Sequence, residues 1–237
     1  MSRRHWGQHF LTDRHLASRI VDGAGIEGRR VLEVGPGRGA LSGLLAERAS
    51  RLCMIEIDPR LAEELRSRFK GQAEVTVVEG DVLQLDPSAC IEAPAHVVAN
   101  LPYETGTRIV SHLLAARPGF TDLTVMLQRE VADRLLAREN SSAYGRLSVL
   151  TALAAEVQPG IEVPPEAFRP PPKVYSMVIR LRPYHEPPYD TGDAGLFEQI
   201  VSQAFSQRRK MLRNSLLPWL TERIGGYERA TACLEGA

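Results

Sequence analysis

The residues able to do chemistry in this sequence fall in four short groups. Gly35-Pro36-Gly37-Arg38-Gly39 is a glycine loop with Glu33 just ahead of it, followed by Glu56, then Gly80-Asp81, then Asn100-Leu101-Pro102-Tyr103. Gly35, Gly37 and Ala40 satisfy G-x-G-x-x-G/A, and Glu56 lies about 20 residues on, where such a fingerprint has its acidic residue. Glycines there let the backbone approach a ligand closely, and the carboxylate accepts from ribose hydroxyls. The loop and Glu56 alone fit NAD, FAD or S-adenosylmethionine. Asp81 adds a second carboxylate suited to an adenine amino group, with a helix cap as its structural alternative. The Asn-Leu-Pro-Tyr turn separates these options, since hydride transfer has no evident use for it. An adenine amino nitrogen is a poor nucleophile, because its lone pair is delocalised into the ring. The Asn100 amide oxygen and a main-chain carbonyl near Leu101–Pro102 can accept both N–H bonds, draw the nitrogen toward tetrahedral geometry and aim it at a sulfonium methyl. Pro102 stiffens the turn, and Tyr103 can stack on the base. Such catalysis is mostly positioning, with reacting atoms about 3–3.5 Å apart. It needs no strong base, because the alkylated nitrogen carries an acidic proton.

The elements around these groups explain their placement. Val31-Leu32-Glu33-Val34 reads as a buried strand, and the helix after the loop puts Leu41, Leu44, Leu45 and Ala49 on one face. Further strands are expected at Leu52–Ile57, Val75–Glu79, His96–Ala99 and Leu123–Gln128. Pro59 opens a helix carrying Leu61, Leu65 and Phe69, and another helix runs from Glu130 to Arg138. This alternation predicts βαβ units and a mostly parallel sheet with helices on both faces. In such sheets ligands sit beyond the carboxyl ends of the strands, where all four groups fall. Ahead of the first strand, Thr12 is expected to cap a helix burying Leu16, Ala17, Ile20 and Val21, preceded by a polar and aromatic arm. Half of the 16 prolines lie between Pro164 and Pro188, around one further strand at Val174–Leu181. A helical stripe follows, Leu196, Phe197, Ile200, Val201, Ala204 and Phe205. The domain boundary is therefore set near Pro183–Pro188, giving a catalytic unit over 1–184 and a small helical unit over 185–237.

A chain of 237 residues with 43% hydrophobic and 24% charged residues can build a substantial core, which excludes wholesale disorder. No apolar run approaches the roughly 18–20 residues that span a bilayer. Arg3-Arg4 lacks the apolar segment of an export signal. Cys53, Cys90 and Cys233 form neither a CxxC nor a zinc ligand set, so no metal is expected, and idle thiols in a reducing cytoplasm are the simplest reading. Lys+Arg and Asp+Glu both number 29, so a globally basic nucleic-acid coat is excluded while local basic patches are not.

The sequence resembles the ribosomal RNA adenine dimethylase family, and within it the dimethyladenosine transferases of the small subunit. The matching segments are Gly7–Leu11, Glu33–Gly37, Glu56, Gly80-Asp81, Asn100–Tyr103, Gln128–Val131, Tyr144–Ser148, Phe168–Arg182 and Phe205–Leu216. They run in the family's order along nearly the whole chain. The resemblance implies an α/β fold: a Rossmann-like S-adenosylmethionine-dependent methyltransferase domain with a mostly parallel seven-stranded sheet, plus a small C-terminal helical domain. It implies a donor pocket from His9, Leu11, Gly35, Gly37, Glu56, Asp81 and Asn100, with catalysis by Asn100, Leu101, Pro102 and Tyr103. It implies N6-dimethylation of two adjacent adenosines near the 3′ end of 16S rRNA, in a small-subunit particle, by a cytoplasmic monomer. Three departures stand out. The arm has His9 where relatives usually carry asparagine, Glu104-Thr105-Gly106 follows Tyr103, and relatives usually continue with further helix beyond Ala237.

Arg208, Arg209, Lys210 and Arg213 form a run without an acid, and the arm adds Arg3, Arg4, Arg14 and Arg19 against Asp13 alone. A charge run is most often a solvated helix face; the resemblance tips these clusters toward RNA phosphates. Methylation of 23S rRNA is a second reading. Pre-ribosome binding with weak catalysis is a third, which the negative charge of Glu104 keeps open. A nicotinamide oxidoreductase is the remote option.

Overall fold

Strands such as Val31–Val34 and Leu52–Ile55 are apolar on both faces, a pattern that needs helices covering both sides of the sheet. The computed structural model, which describes residues 9–116, 119–207 and 210–235, has that arrangement. Its strands are β1 (Phe10–Leu11), β2 (Arg30–Val34), β3 (Arg51–Glu56), β4 (Val75–Glu79), β5 (Ala95–Asn100), β6 (Phe120–Gln128), β7 (Ala155–Val163), β8 (Phe168–Arg169) and β9 (Ser176–Pro183). The helices are α1 (Arg14–Ala24), α2 (Ser42–Arg48), α3 (Pro59–Arg68), α4 (Gly106–Ala115), α5 (Arg129–Leu136), α6 (Arg146–Ala154), α7 (Ala194–Ala204), α8 (Leu212–Ile224) and α9 (Tyr227–Glu235).

Seven strands form one sheet in the order β4-β3-β2-β5-β6-β9-β7. The first five pair in parallel, while β9 runs antiparallel to both β6 and β7. Alternate residues face two cores. Leu32, Cys53 and Val97 meet Ile109 and Leu113 of α4 and Leu135 of α5. Val31, Met54 and Val98 meet Ile20 of α1, Leu45 of α2 and Leu65 of α3. The strand order reverses at β2, with β3 on one side and β5 on the other, and that switch point opens a crevice at the carboxyl edge.

Two features position the site from outside the sheet. β1 and β8 form a short antiparallel ribbon, Phe10 opposite Arg169 and Leu11 opposite Phe168, which lays the arm along the crevice. The helix cap is Asp13 rather than Thr12. The Asp13 carboxylate accepts from the main-chain N–H groups of His15 and Leu16, while the Thr12 hydroxyl donates to the Ala167 carbonyl. Thr12 is thus spent on fastening the ribbon. Edge strand β7 is absent from the sequence reading, because Pro159-Gly160 interrupts it. The register shifts there, and a Cβ on Gly160 would lie 2.7 Å from the Val178 carbonyl oxygen. The last three helices pack on one another, and α7 reaches α6. An Arg146–Glu198 ion pair and an edge-on contact of Tyr144 with Phe205, 5.8 Å between ring centres, join the two regions.

Candidate active site

The carboxyl ends of β2, β3 and β5 surround an open cleft of about 740 Å³, counted to its mouth. Its floor is the glycine loop, in which Gly35, Gly37 and Gly39 have φ of 68°, 57° and 74°. These left-handed angles strain any residue with a Cβ. A Cβ on Gly37 would also lie 3.1 Å from the Phe10 ring, so the arm closes directly on the loop. The Arg38 guanidinium covers Phe10 at 4.7 Å from the ring centre.

Glu56 ends β3 inside the cleft wall and is 1% exposed. One carboxyl oxygen accepts from the Gly37 N–H at 2.9 Å and the other from the Asp58 N–H at 2.9 Å. Burial raises its pKa, and those two N–H groups pull it back down. Each carboxylate oxygen has a second acceptor site, so Glu56 both shapes the loop and can accept from a ligand hydroxyl. Asp81 is placed differently. It is outside the residues lining the cleft, and its carboxylate accepts from the Leu83 N–H at 3.0 Å, capping the turn after β4.

Glu33 lines the cleft as well, a role the sequence reading did not give it. It is 2% exposed, and its Oε2 has no hydrogen-bond partner among the described residues. Burial, with some repulsion from Glu56, pushes its pKa up to about 8. A buried neutral acid at the edge of a binding cleft is poised to ionise when a cation enters. The donor read from the sequence carries a sulfonium and an ammonium group. The orphaned Glu33 oxygen, the glycine cradle and the Glu56 carboxylate all fit it.

The opposite wall is the turn after β5. Asn100 ends that strand, half-buried and facing the cleft. The Leu101 N–H donates to the Met126 carbonyl, and the Leu101 side chain is buried in the core. The Pro102 carbonyl accepts from the N–H groups of Thr105 and Gly106, at 3.3 and 2.8 Å, and so anchors α4. Pro102 is therefore committed, which makes the Leu101 carbonyl the main-chain acceptor beside Asn100. Tyr103 shares a hydrogen bond of 2.8 Å with the Ser176 hydroxyl, and burial raises its pKa. The His9 ring lies 5.2 Å from the Tyr103 ring, tilted by 32°. Its Nδ1 is 2.7 Å from the Pro170 carbonyl, so that nitrogen carries the hydrogen and donates. His9 thus ties the arm to both β8's flank and the turn.

Of the sequence-predicted residues, His9, Leu11, Gly35, Gly37, Glu56, Asn100, Leu101, Pro102 and Tyr103 meet in this one cleft. Phe10 and Arg38 join them unforeseen, and the buried Ser176 holds Tyr103 from behind. Arg208 and Arg209 lie outside the described residues, as do Arg3, Arg4, Gly7 and Gln8. Lys210 is exposed, and Arg213 pairs with Glu235 at 3.4 Å.

A glycine cradle at a switch point, facing an amide-and-carbonyl pair across one cleft, defines a methyltransferase that alkylates an amino group. The comparisons narrow this. Residues 1–228 match the family model described as "Ribosomal RNA adenine dimethylase", and the chain belongs to that family. Among curated relatives, "Ribosomal RNA small subunit methyltransferase A" of Proteus mirabilis is 42% identical over 224 residues, covering 93% of this chain and 82% of its own. The protein of the same description from Geobacter sulfurreducens is 45% identical over 221 residues, covering 91% and 80%. A dimethyladenosine transferase from Plasmodium falciparum superposes with a TM-score of 0.78 at 28% identity, over 90% of this chain and 78% of that one. The 23S rRNA methyltransferase ErmE does so at 0.71 and 33%, over 90% and 86%. The chain is accordingly an rRNA adenine methyltransferase with S-adenosylmethionine as its methyl donor.

Proposed function

We propose that the protein dimethylates N6 of two adjacent adenosines near the 3′ end of small-subunit rRNA, within a small-subunit particle. The observation that carries this is the Asn100–Tyr103 turn facing the glycine loop across one cleft. The 42–45% identity to small-subunit enzymes favours that rRNA over 23S.

The donor supplies an electrophilic methyl on sulfur, and the protein supplies geometry. Gly35, Gly37 and Glu56 bind it, His9 and Leu11 close the arm over it, and Asp81, although outside the lining of the cleft, is assigned to its adenine end through the carboxylate oxygen not spent on Leu83. The target adenine leaves its stack, and Tyr103 offers it a ring held by Ser176 and backed by His9. The Asn100 amide oxygen and the Leu101 carbonyl accept the two amino hydrogens. The nitrogen lone pair then turns out of the ring plane toward the methyl. After transfer the nitrogen is positively charged and loses a proton to water. The residues 1–184 form the catalytic unit, and 185–237 grip rRNA through Arg208, Arg209, Lys210 and Arg213. Among the described residues no helix is long and apolar enough to cross a membrane. The proposal places the protein in the cytoplasm, acting on ribosomal particles as a monomer.

The test is incubation with under-methylated small subunits and labelled S-adenosylmethionine, followed by mass spectrometry of the adenosines. Dimethyladenosine is expected with wild-type protein, and a loss of at least about 100-fold for Asn100→Ala, on the scale of removing one transition-state-orienting group. Label that goes only to naked 23S rRNA, or to no adenosine, refutes the proposal.

A further inference from the structure

A second cleft, of about 1250 Å³ counted to its mouth, lies beside the first and is not used by the chemistry above. The two are linked through Ser176. Ser176, which holds the Tyr103 hydroxyl, is preceded by Tyr175, whose carbonyl accepts the Arg129 N–H at 2.9 Å. Gln128, at the carboxyl end of β6, opens the new cleft next to the strand that carries Asn100. Tyr175 lines it with half its surface exposed, at 49%.

The charges decide what fits. Arg129 is taken up by Asp133, at 3.1 Å, and by Glu162. Arg134, Lys173 and Glu130 form no ion pair among the described residues. Three cations and three acids leave the cleft neutral, so a phosphate gains little there. A nucleobase gains more, because it is uncharged, has donors and acceptors on its edges, and offers a face to an exposed ring. The Gln128 amide has the paired donor and acceptor that match adenine's edge.

Resting on the rRNA adenine methyltransferase reading, we infer that this cleft holds the unpaired base next to the target adenosine, stacked on Tyr175. With the target base extruded into the first cleft, the neighbouring base loses its stacking partner, and Tyr175 replaces it.

The experiment measures initial rates on under-methylated small subunits at saturating S-adenosylmethionine. Tyr175→Ala is expected to raise KM for the particle about tenfold, in line with loss of one base–aromatic stack. kcat and donor affinity, the latter by calorimetry, stay unchanged, and Tyr175→Phe restores KM. In addition, a photoreactive benzophenone amino acid in place of Tyr175 is expected to cross-link within one nucleotide of the methylated adenosine. The inference is overturned by a wild-type KM in Tyr175→Ala, by a Phe variant that fails to restore it, by a loss that tracks donor binding, or by a cross-link elsewhere. Wild-type protein that methylates no adenosine sinks the parent reading instead, and this inference with it.

Discussion

Glu33 gives a test that needs no substrate. Its carboxyl is 2% exposed and has a pKa of about 8, against 4.5 for an unhindered glutamate. Between those values the folded protein holds a proton that the unfolded chain has released. Stability must therefore fall as pH rises through the window, by about 1.4 kcal/mol per pH unit from this one group. Across the window from 4.5 to about 8 the loss reaches about 5 kcal/mol, and it levels off above. Glu33→Gln keeps the shape and stays neutral, so it removes this slope. At pH 5 the variant and wild type should have similar stability. By pH 8 the variant should be more stable by several kcal/mol, toward that ceiling of about 5. Urea unfolding of both proteins at half-unit steps from pH 5 to 8.5 measures the difference, in which titrating groups not coupled to Glu33 cancel. A difference that does not change with pH, or one that widens toward pH 5, refutes the reasoning. The same group should couple to ligand: donor affinity is expected to rise between pH 6 and 8 in wild type, as Glu33 ionises against the entering cation, and to be flat in the variant.

Two further outcomes follow from the geometry. Gly37→Ala adds a methyl at a φ of 57° and 3.1 Å from the Phe10 ring, so the arm must shift; calorimetry should show donor affinity reduced about tenfold, with the loss smaller in a Phe10→Ala background. Ser176→Ala frees the Tyr103 hydroxyl from its 2.8 Å partner, and kcat should fall severalfold while donor affinity holds; Tyr103→Phe should match it, and the double variant should cost no more than either single change.

The parts of the fold legible in the sequence are those governed by local pattern. The central strands β2, β3 and β5 betray themselves as apolar runs buried on both faces, and the alternation of Val75–Glu79 marks edge strand β4 with the bounds it has; the other expected strands lie within a few residues. The glycine loop and the Asn100 turn are likewise contiguous, so their chemistry can be read from four or five residues at a time. What stayed hidden depends on partners far along the chain. Strand β7 exists because β9 offers it an edge, in spite of the Pro159-Gly160 break. The ribbon of β1 and β8 joins residues more than 150 apart, and nothing in Phe10-Leu11 alone announces it.

Thr12, Asp81 and Glu33 show the same dependence at single residues. Thr12 and Asp13 are both competent caps, and the choice falls to Asp13 because the Thr12 hydroxyl already has the Ala167 carbonyl. Asp81 spends an oxygen on its own turn, a local bond that any aspartate after a strand can make. Glu33 is the reverse case. Inside an apolar strand it looks like a defect in the pattern, and the defect is informative. A carboxyl in a buried strand costs stability unless something compensates it, and here its free oxygen lies in the wall of the cleft. The fold tolerates the acid by keeping it protonated, and the entering cation supplies the compensation that the folded chain withholds.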